Sequence, residues 1–173
     1  MRLRACVLAV TAVAAMCLAP PSSAQQVAVA DPAGDAEGPG LDIVGARVDN
    51  RDYVIVAWVR FEKETRGDVI VSVDRRHGRG LRMVNEHRPS RTDTNYVVPG
   101  AFTDKAAGPD VQCHGFRARW QDDRPVVRMR LPADCLNSGS YGAIRFAVLT
   151  EKRDDTDYAP ESPDDASSWI PRG

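Results

Sequence analysis

The sequence predicts an all-β chain, folded as an antiparallel two-sheet sandwich of jelly-roll-like form with about eight strands. Three observations carry this expectation. Apolar residues recur at every second position and are mostly β-branched or aromatic. Turn signals punctuate the chain at short intervals. No window has a convincing helical period. The strands are expected at 41–48, 53–61, 68–74, 81–85, 95–98, 112–120, 126–131 and 141–150.

Each strand has its own signature. In the second, Tyr53, Ile55, Ala57, Val59 and Phe61 share one face, and Val54, Val56 and Trp58 the other. Apolar residues on both faces predict a central strand, with Trp58 in the core. The third turns Val69, Val71 and Val73 inward, and the eighth Ile144, Phe146 and Val148. The seventh alternates Val127, Met129 and Leu131 with Arg128 and Arg130, the pattern of a half-exposed strand. Gly45 inside the first strand predicts a bulge. Segments 25–40 and 153–173 are rich in Pro, Gly, Ser and Asp and read as irregular tails around a β-domain of residues 41–152.

Residues 1–24 read as a signal peptide. Arg2 and Arg4 start it, Ala5 opens a short apolar run, Pro20 and Pro21 break it, and Ser22-Ser23-Ala24 offers small residues for cleavage. Secretion to the extracellular space follows, with no membrane span after its removal. The whole chain has 23 basic and 24 acidic residues, a net charge of −1. Loss of Arg2 and Arg4 leaves the remainder slightly more acidic, which argues against general nucleic-acid binding. Cys6 and Cys17 leave with the signal. Cys113 and Cys135 remain, and an exported pair predicts one disulfide. With a turn at Asp122-Asp123-Arg124-Pro125, the two cysteines stand nearly opposite each other at the open end of one hairpin.

The strongest chemical signal is acidic. Asp31 and Asp35 precede the first strand, with Asp42 close by, and Asp155 and Asp157 follow the last. Strand parity brings these segments to one end of the sandwich. Carboxylates converging there suit a structural Ca²⁺, which takes six to eight oxygen ligands and tolerates irregular loops. The competing reading is a pair of solvated acidic turns. A second signal is basic: Arg75, Arg76, His77, Arg79, Arg82, His87, Arg88 and Arg91 fall between the third and fifth strands. They could hold an anionic glycan, a teichoic-type cell-wall polymer or an acidic protein, or simply be solvated arginines guarding an edge. Trp120 ends a strand and is a candidate for partial exposure and sugar stacking. Trp169, beside Ile170, is expected to dock back onto the domain.

An enzymatic reading finds little. His77, His87 and His114 lack metal-ligand spacing, no Gly-x-Ser-x-Gly elbow occurs, and the disulfide would consume both thiols. The expectation is a monomeric, non-catalytic binding or cell-envelope-associated module. The alternatives are a secreted hydrolase of envelope or extracellular polymer and a protein–protein interaction domain.

The run Asp31-Pro32-Ala33-Gly34-Asp35 with Leu41-Asp42-Ile43 resembles the opening of a group of uncharacterised exported β-sandwich proteins of actinobacteria. So do Leu131-Pro132-Ala133-Asp134-Cys135-Leu136 and Asp157-Tyr158-Ala159-Pro160. The Asp-x-x-Gly-Asp turn is more distantly similar to DOMON and family 9 carbohydrate-binding modules. That resemblance implies a sandwich fold and a structural calcium at the acidic turns. The exposed tryptophan pair that clamps a sugar, and the His/Met pair that binds haem, are not evident here.

The signal reading makes a direct prediction: secreted protein begins at Gln25, free or cyclised to pyroglutamate. N-terminal mass analysis that finds Met1 on exported protein would remove it.

Overall fold

The computed structural model describes residues 25–88, 90–104, 111–162 and 164–173. The signal-peptide expectation and its cleavage site lie outside these residues. Ten strands follow in order: β1 (Gln25–Ala30), β2 (Ile43–Arg51), β3 (Val54–Phe61), β4 (Gly67–Arg75), β5 (Leu81–His87), β6 (Thr94–Pro99), β7 (Arg117–Gln121), β8 (Arg124–Pro132), β9 (Ile144–Lys152) and β10 (Asp155–Ala159). They form two antiparallel five-stranded sheets, ordered β1-β2-β3-β8-β7 and β10-β9-β4-β5-β6. This is the expected sandwich. Two short 3₁₀ turns, Ala133–Cys135 and Asn137–Gly139, lead from β8 toward β9. No helix among the described residues is long and apolar enough to cross a membrane.

The core follows from side-chain alternation. Ile43, Val48, Ile55, Val59 and Phe61 from the first sheet face Val69, Val71, Val73, Met83, Phe146 and Val148 from the second, all at most 2% exposed. Each such side chain, buried, contributes about 1.5–3 kcal/mol. The expected bulge is present, as the β2–β3 register shifts between Ile43 and Gly45. Gly45 has φ +152°, and a Cβ there would meet the Val29 carbonyl oxygen at 3.0 Å, so close approach of β1 requires glycine.

Several elements differ from expectation. The segment before residue 41 is not wholly irregular: Gln25–Ala30 pairs with β2, from Gln25 opposite Asn50 to Ala30 opposite Gly45. The segment after residue 152 supplies β10, which pairs with β9. Its continuation stays on the β9 edge, where Ile144 and Ile170 exchange backbone hydrogen bonds of 3.0 and 2.7 Å. The Asn50 side chain donates to the Ile170 carbonyl at 3.0 Å, and the Gly173 N–H donates to the Asn50 carbonyl at 3.2 Å. Tyr53, expected to open the second strand, falls in the tight β2–β3 turn and is 87% exposed. Strand β7 starts at Arg117, after a turn in which Gly115 has φ +92°. Strands β2 and β9, which a jelly roll can place side by side, face each other from opposite sheets.

Trp58 corrects a second expectation. It lies on the outer face of the first sheet, half-buried, with the Arg47 guanidinium 4.0 Å and that of Arg128 5.5 Å from its ring centroid. Val56 and Val54 share this outward register yet are 1% and 8% exposed, which fits a face shielded by long arginine stems. Trp169 docks as expected, with Arg76 and Arg145 over its ring at 5.3 and 5.0 Å.

A disulfide joins Cys113 and Cys135, with a Cα–Cα distance of 5.2 Å. The β7–β8 register, Arg117 opposite Arg130 and Trp120 opposite Val127, sets the two cysteines near each other beyond the open end of that hairpin. Such a bond fits an oxidising, extracellular environment. Chain-entropy arguments give about 3 kcal/mol for a loop of this order, but the hairpin already closes most of it. Cys135→Ala should therefore lower the unfolding free energy by about 2–4 kcal/mol, nearer the lower figure, in urea titration of oxidised protein. Unchanged stability would show that the hairpin alone fixes this corner.

Candidate metal centre

The strand directions bring five connections to one end of the sandwich: β1–β2, β3–β4, β5–β6, β7–β8 and β9–β10. The expected acidic segments meet there. Asp31 follows the last residue of β1, Asp35 lies in the β1–β2 connection, and Asp157 is the middle residue of β10. One carboxylate oxygen from each lies within 4.8 Å of the others. Asp42, 6% exposed, sits just before β2 and accepts the Gly34 N–H at 2.7 Å. Asp155 does not join the group. Its carboxylate packs against Gly38, where an added Cβ would collide with it.

Asp157 is the anchor of this end. Its Oδ2 accepts the Ile43 N–H at 2.6 Å and its Oδ1 the Tyr158 N–H at 2.8 Å. One carboxylate thus ties β10 of the second sheet to the start of β2 in the first. Nearby, the Thr150 hydroxyl donates to the Leu41 carbonyl at 2.8 Å, and the Glu37 N–H to the Thr156 carbonyl at 3.2 Å. The β1–β2 connection is held down over the end of the sandwich by these bonds.

Two buried carboxylate oxygens at this end, one from the group and one from Asp42 outside it, have no partner in the protein. Asp31, 9% exposed, buries Oδ2 without a hydrogen bond, and Asp42 buries Oδ1 in the same way. Leaving a carboxylate oxygen buried and unpaired is costly. Burial, followed by repulsion from Asp157, Asp35, Asp42 and Glu161, pushes the Asp31 carboxyl up to about 7. Burial also raises Asp157, against the Ile43 and Tyr158 N–H bonds that lower it. Asp35, Asp157 and Glu161 line an adjoining hollow of about 220 Å³ with Glu37, Thr156 and Tyr158. An all-oxygen set of this kind fits a hard divalent cation, and Ca²⁺ above all.

A second polar network at this end had no signal in the sequence. His87, 4% exposed, has Nδ1 at 3.1 Å from both Asp93 carboxylate oxygens and Nε2 at 3.1 Å from Glu64. Its ring stacks on Trp120 at 4.1 Å, and Trp120 stacks on Phe61 at 5.1 Å. The Trp120 indole N–H donates to Asn85 Oδ1 at 3.0 Å, and Asn85 donates to Asp93 and Asn95. Trp120 therefore packs into the sandwich and offers no open ring for sugar stacking. Its partners are distant in sequence and converge only through sheet register.

The arginine-rich stretch is largely tied down. Arg75 donates to the Arg79 carbonyl at 2.7 Å, Arg82 to Gly100 at 3.0 Å, and Arg88 pairs with Asp68 at 2.7 Å. At the opposite end from the carboxylates, Arg75, Arg76 and His77 line a broad cleft of about 870 Å³ with Tyr141 and Arg172, whose guanidinium lies over the Tyr141 ring. Arg79 does not line it.

The sign of the acidic centre's pH dependence is fixed by its direction of shift. Unfolded Asp31 loses its proton near 3.8, and the folded residue keeps it to about 7. In chelator, the Asp31 contribution to stability should be full below the lower value, fall as pH rises between the two, and level off above. The upward shift of Asp157 adds to the same trend. Asp93 is held low and acts only below the ordinary carboxylate range, outside this window. Urea denaturation in EDTA at stepped pH should show the decline, and Asp31→Asn should flatten it. A flat profile in the parent protein would mean that Asp31 is solvated.

No family model matches the chain, and it matches no curated protein and no solved structure.

Proposed function

We propose that the protein is an exported, non-catalytic binding or cell-envelope-associated module, with a structural Ca²⁺ locking its outer strands to the sandwich. The observation that carries the calcium reading is the buried, unpartnered Asp31 Oδ2 beside Asp35, Asp157 and Asp42. A cation would satisfy that oxygen and offset the mutual repulsion of the group. Asp31, Asp35 and Asp157 would hold it, with Asp42 beside them. Because Asp31 belongs to the β1 side, Asp42 to β2 and Asp157 to β10, the ion would join segments from both sheets.

The non-catalytic reading rests on how the reactive groups are used. Both ring nitrogens of His87 are engaged by carboxylates inside the fold, and Cys113 and Cys135 form the disulfide. Each Asp157 oxygen accepts a backbone N–H, which fixes the carboxylate as part of the fold. The cation's role in this reading is stability and order, and ligand binding falls to the surface of the sheets.

A cation that binds only the folded state adds about 2.7 kcal/mol at a hundredfold excess over Kd. For a domain of this size that raises Tm on the order of 5–10 °C. Millimolar Ca²⁺ should produce such a rise relative to EDTA, Mg²⁺ a smaller one, and Asp35→Asn should blunt both. Native mass spectrometry should find one bound calcium. Coincident melting curves in calcium and EDTA, with no bound metal, would leave the acidic end an ordinary polar cap.

A further inference from the structure

The outer face of the first sheet carries a row of arginines whose stems cover apolar side chains and whose charges are crowded together. Ladder pairing sets Arg119 opposite Arg128, Arg128 opposite Trp58, and Trp58 opposite Arg47. These four residues form one row across β7, β8, β3 and β2. In the adjacent row, Arg117 stands opposite Arg130. Directly opposed residues in an antiparallel pair lie about 5 Å apart, and like charges placed so repel.

Among the described residues, no carboxylate comes within 4.0 Å of Arg117, Arg119, Arg128 or Arg130. The acids on this face are engaged elsewhere: Asp49 pairs with Arg47 and Arg51, and Asp123 with Arg124. The four free guanidinium side chains alone line a hollow of about 180 Å³. Beside it, Arg47, Trp58, Arg60 and Arg124 border a second hollow of about 420 Å³. Protection of a sheet edge accounts for arginines on β7, which is an edge strand. It does not account for Arg128 and Arg130 on β8, which is paired on both sides.

We infer that this face binds an anionic polysaccharide, with Arg117, Arg119, Arg128 and Arg130 gripping successive carboxylate, sulfate or phosphate groups. The inference rests on the reading of the protein as a binding module and names its ligand class. Guanidinium forks suit such oxyanions, which they can hold with two parallel hydrogen bonds. A row of cations at strand spacing, about 5 Å, suits a linear polymer with repeated charge better than a single small anion. Trp58 cannot serve as a base-stacking platform, because arginines lie over its ring at 4.0 and 5.5 Å. That separates this face from single-strand nucleic-acid sites, which rely on open aromatic rings. Nor does the face offer an apolar anchor for a bilayer: among the described residues, the exposed large hydrophobic ones are Tyr53, in the β2–β3 turn, and Tyr96, on β6. The disulfide fits the oxidising space in which charged surface glycans are found.

The test uses the secreted protein with calcium present. Its binding to heparin, polygalacturonate, neutral dextran, single-stranded DNA and anionic phospholipid vesicles is measured over a range of salt. Retention on one or both anionic polysaccharides and none on dextran is expected, weakening steeply with salt. The variant R117Q/R119Q/R128Q/R130Q should lose at least tenfold in affinity while keeping the parental Tm, and R75Q/R76Q, at the far end, should bind as the parent does. If the quadruple variant does not fold, R119Q/R128Q makes the same test with a several-fold loss expected. Unaltered binding in the folded arginine variant overturns the inference. So does preference for DNA or vesicles over both polysaccharides, or no retention of the parent on either. A glycan captured through another surface, with these arginine variants unaffected, would sink this inference and leave the binding-module reading standing.

Discussion

Two sheets packed face to face need a seal where their edges diverge, and here a buried carboxylate makes it. Asp157 reaches from β10 to the first N–H of β2 at 2.6 Å. Through that bond the start of one sheet is referred to the edge of the other. The Thr150–Leu41 and Glu37–Thr156 bonds extend the seam along the same line. An uncharged residue could not accept two N–H bonds as strongly, but a carboxylate placed there imposes its charge on its surroundings. Asp31 and Asp42 crowd the same low-dielectric corner with oxygens that no protein group satisfies. The corner therefore gathers negative charge that a proton, or the cation proposed above, would offset.

The charge of the molecule is segregated although its sum is close to zero. Acids collect at the end where β1, β2 and β10 meet, and arginines collect on the outer face of the first sheet and at the opposite end. A net charge of −1 conceals this, since it averages over surfaces that never face the same partner. Long-range attraction responds to the local field and not to the sum.

Much of the fold was legible because burial is written as alternation. Val69, Val71 and Val73, or Phe146 and Val148, can be placed inward from spacing alone, and the hairpin turn at Asp122-Asp123 set the cysteines correctly. Strands β1 and β10 were hidden because they are short, sit among Pro, Gly and Asp, and bury little on one face. Trp58 misled because its strand is apolar on both sides, and the sequence does not say which side arginine stems will cover. Asp31, Asp35 and Asp157 were legible through strand parity. The exclusion of Asp155 was not, since it depends on close packing against Gly38. The His87–Trp120–Asn85 network and the arginine row exist only once lateral register between non-adjacent segments is known, and no local pattern encodes that.

Residue Asn50 joins features that look unrelated along the chain. Its backbone is opposite Gln25 and its carbonyl receives the Gly173 N–H. The first described residue and the last therefore leave the domain side by side. A host loop joined at those two points would hold the sandwich without stretching. The same adjacency governs mechanical behaviour: a pull applied at Gln25 and Gly173 would peel β1 and the 170–173 segment away from Asn50 bond by bond, while the sandwich behind them carries little of the force.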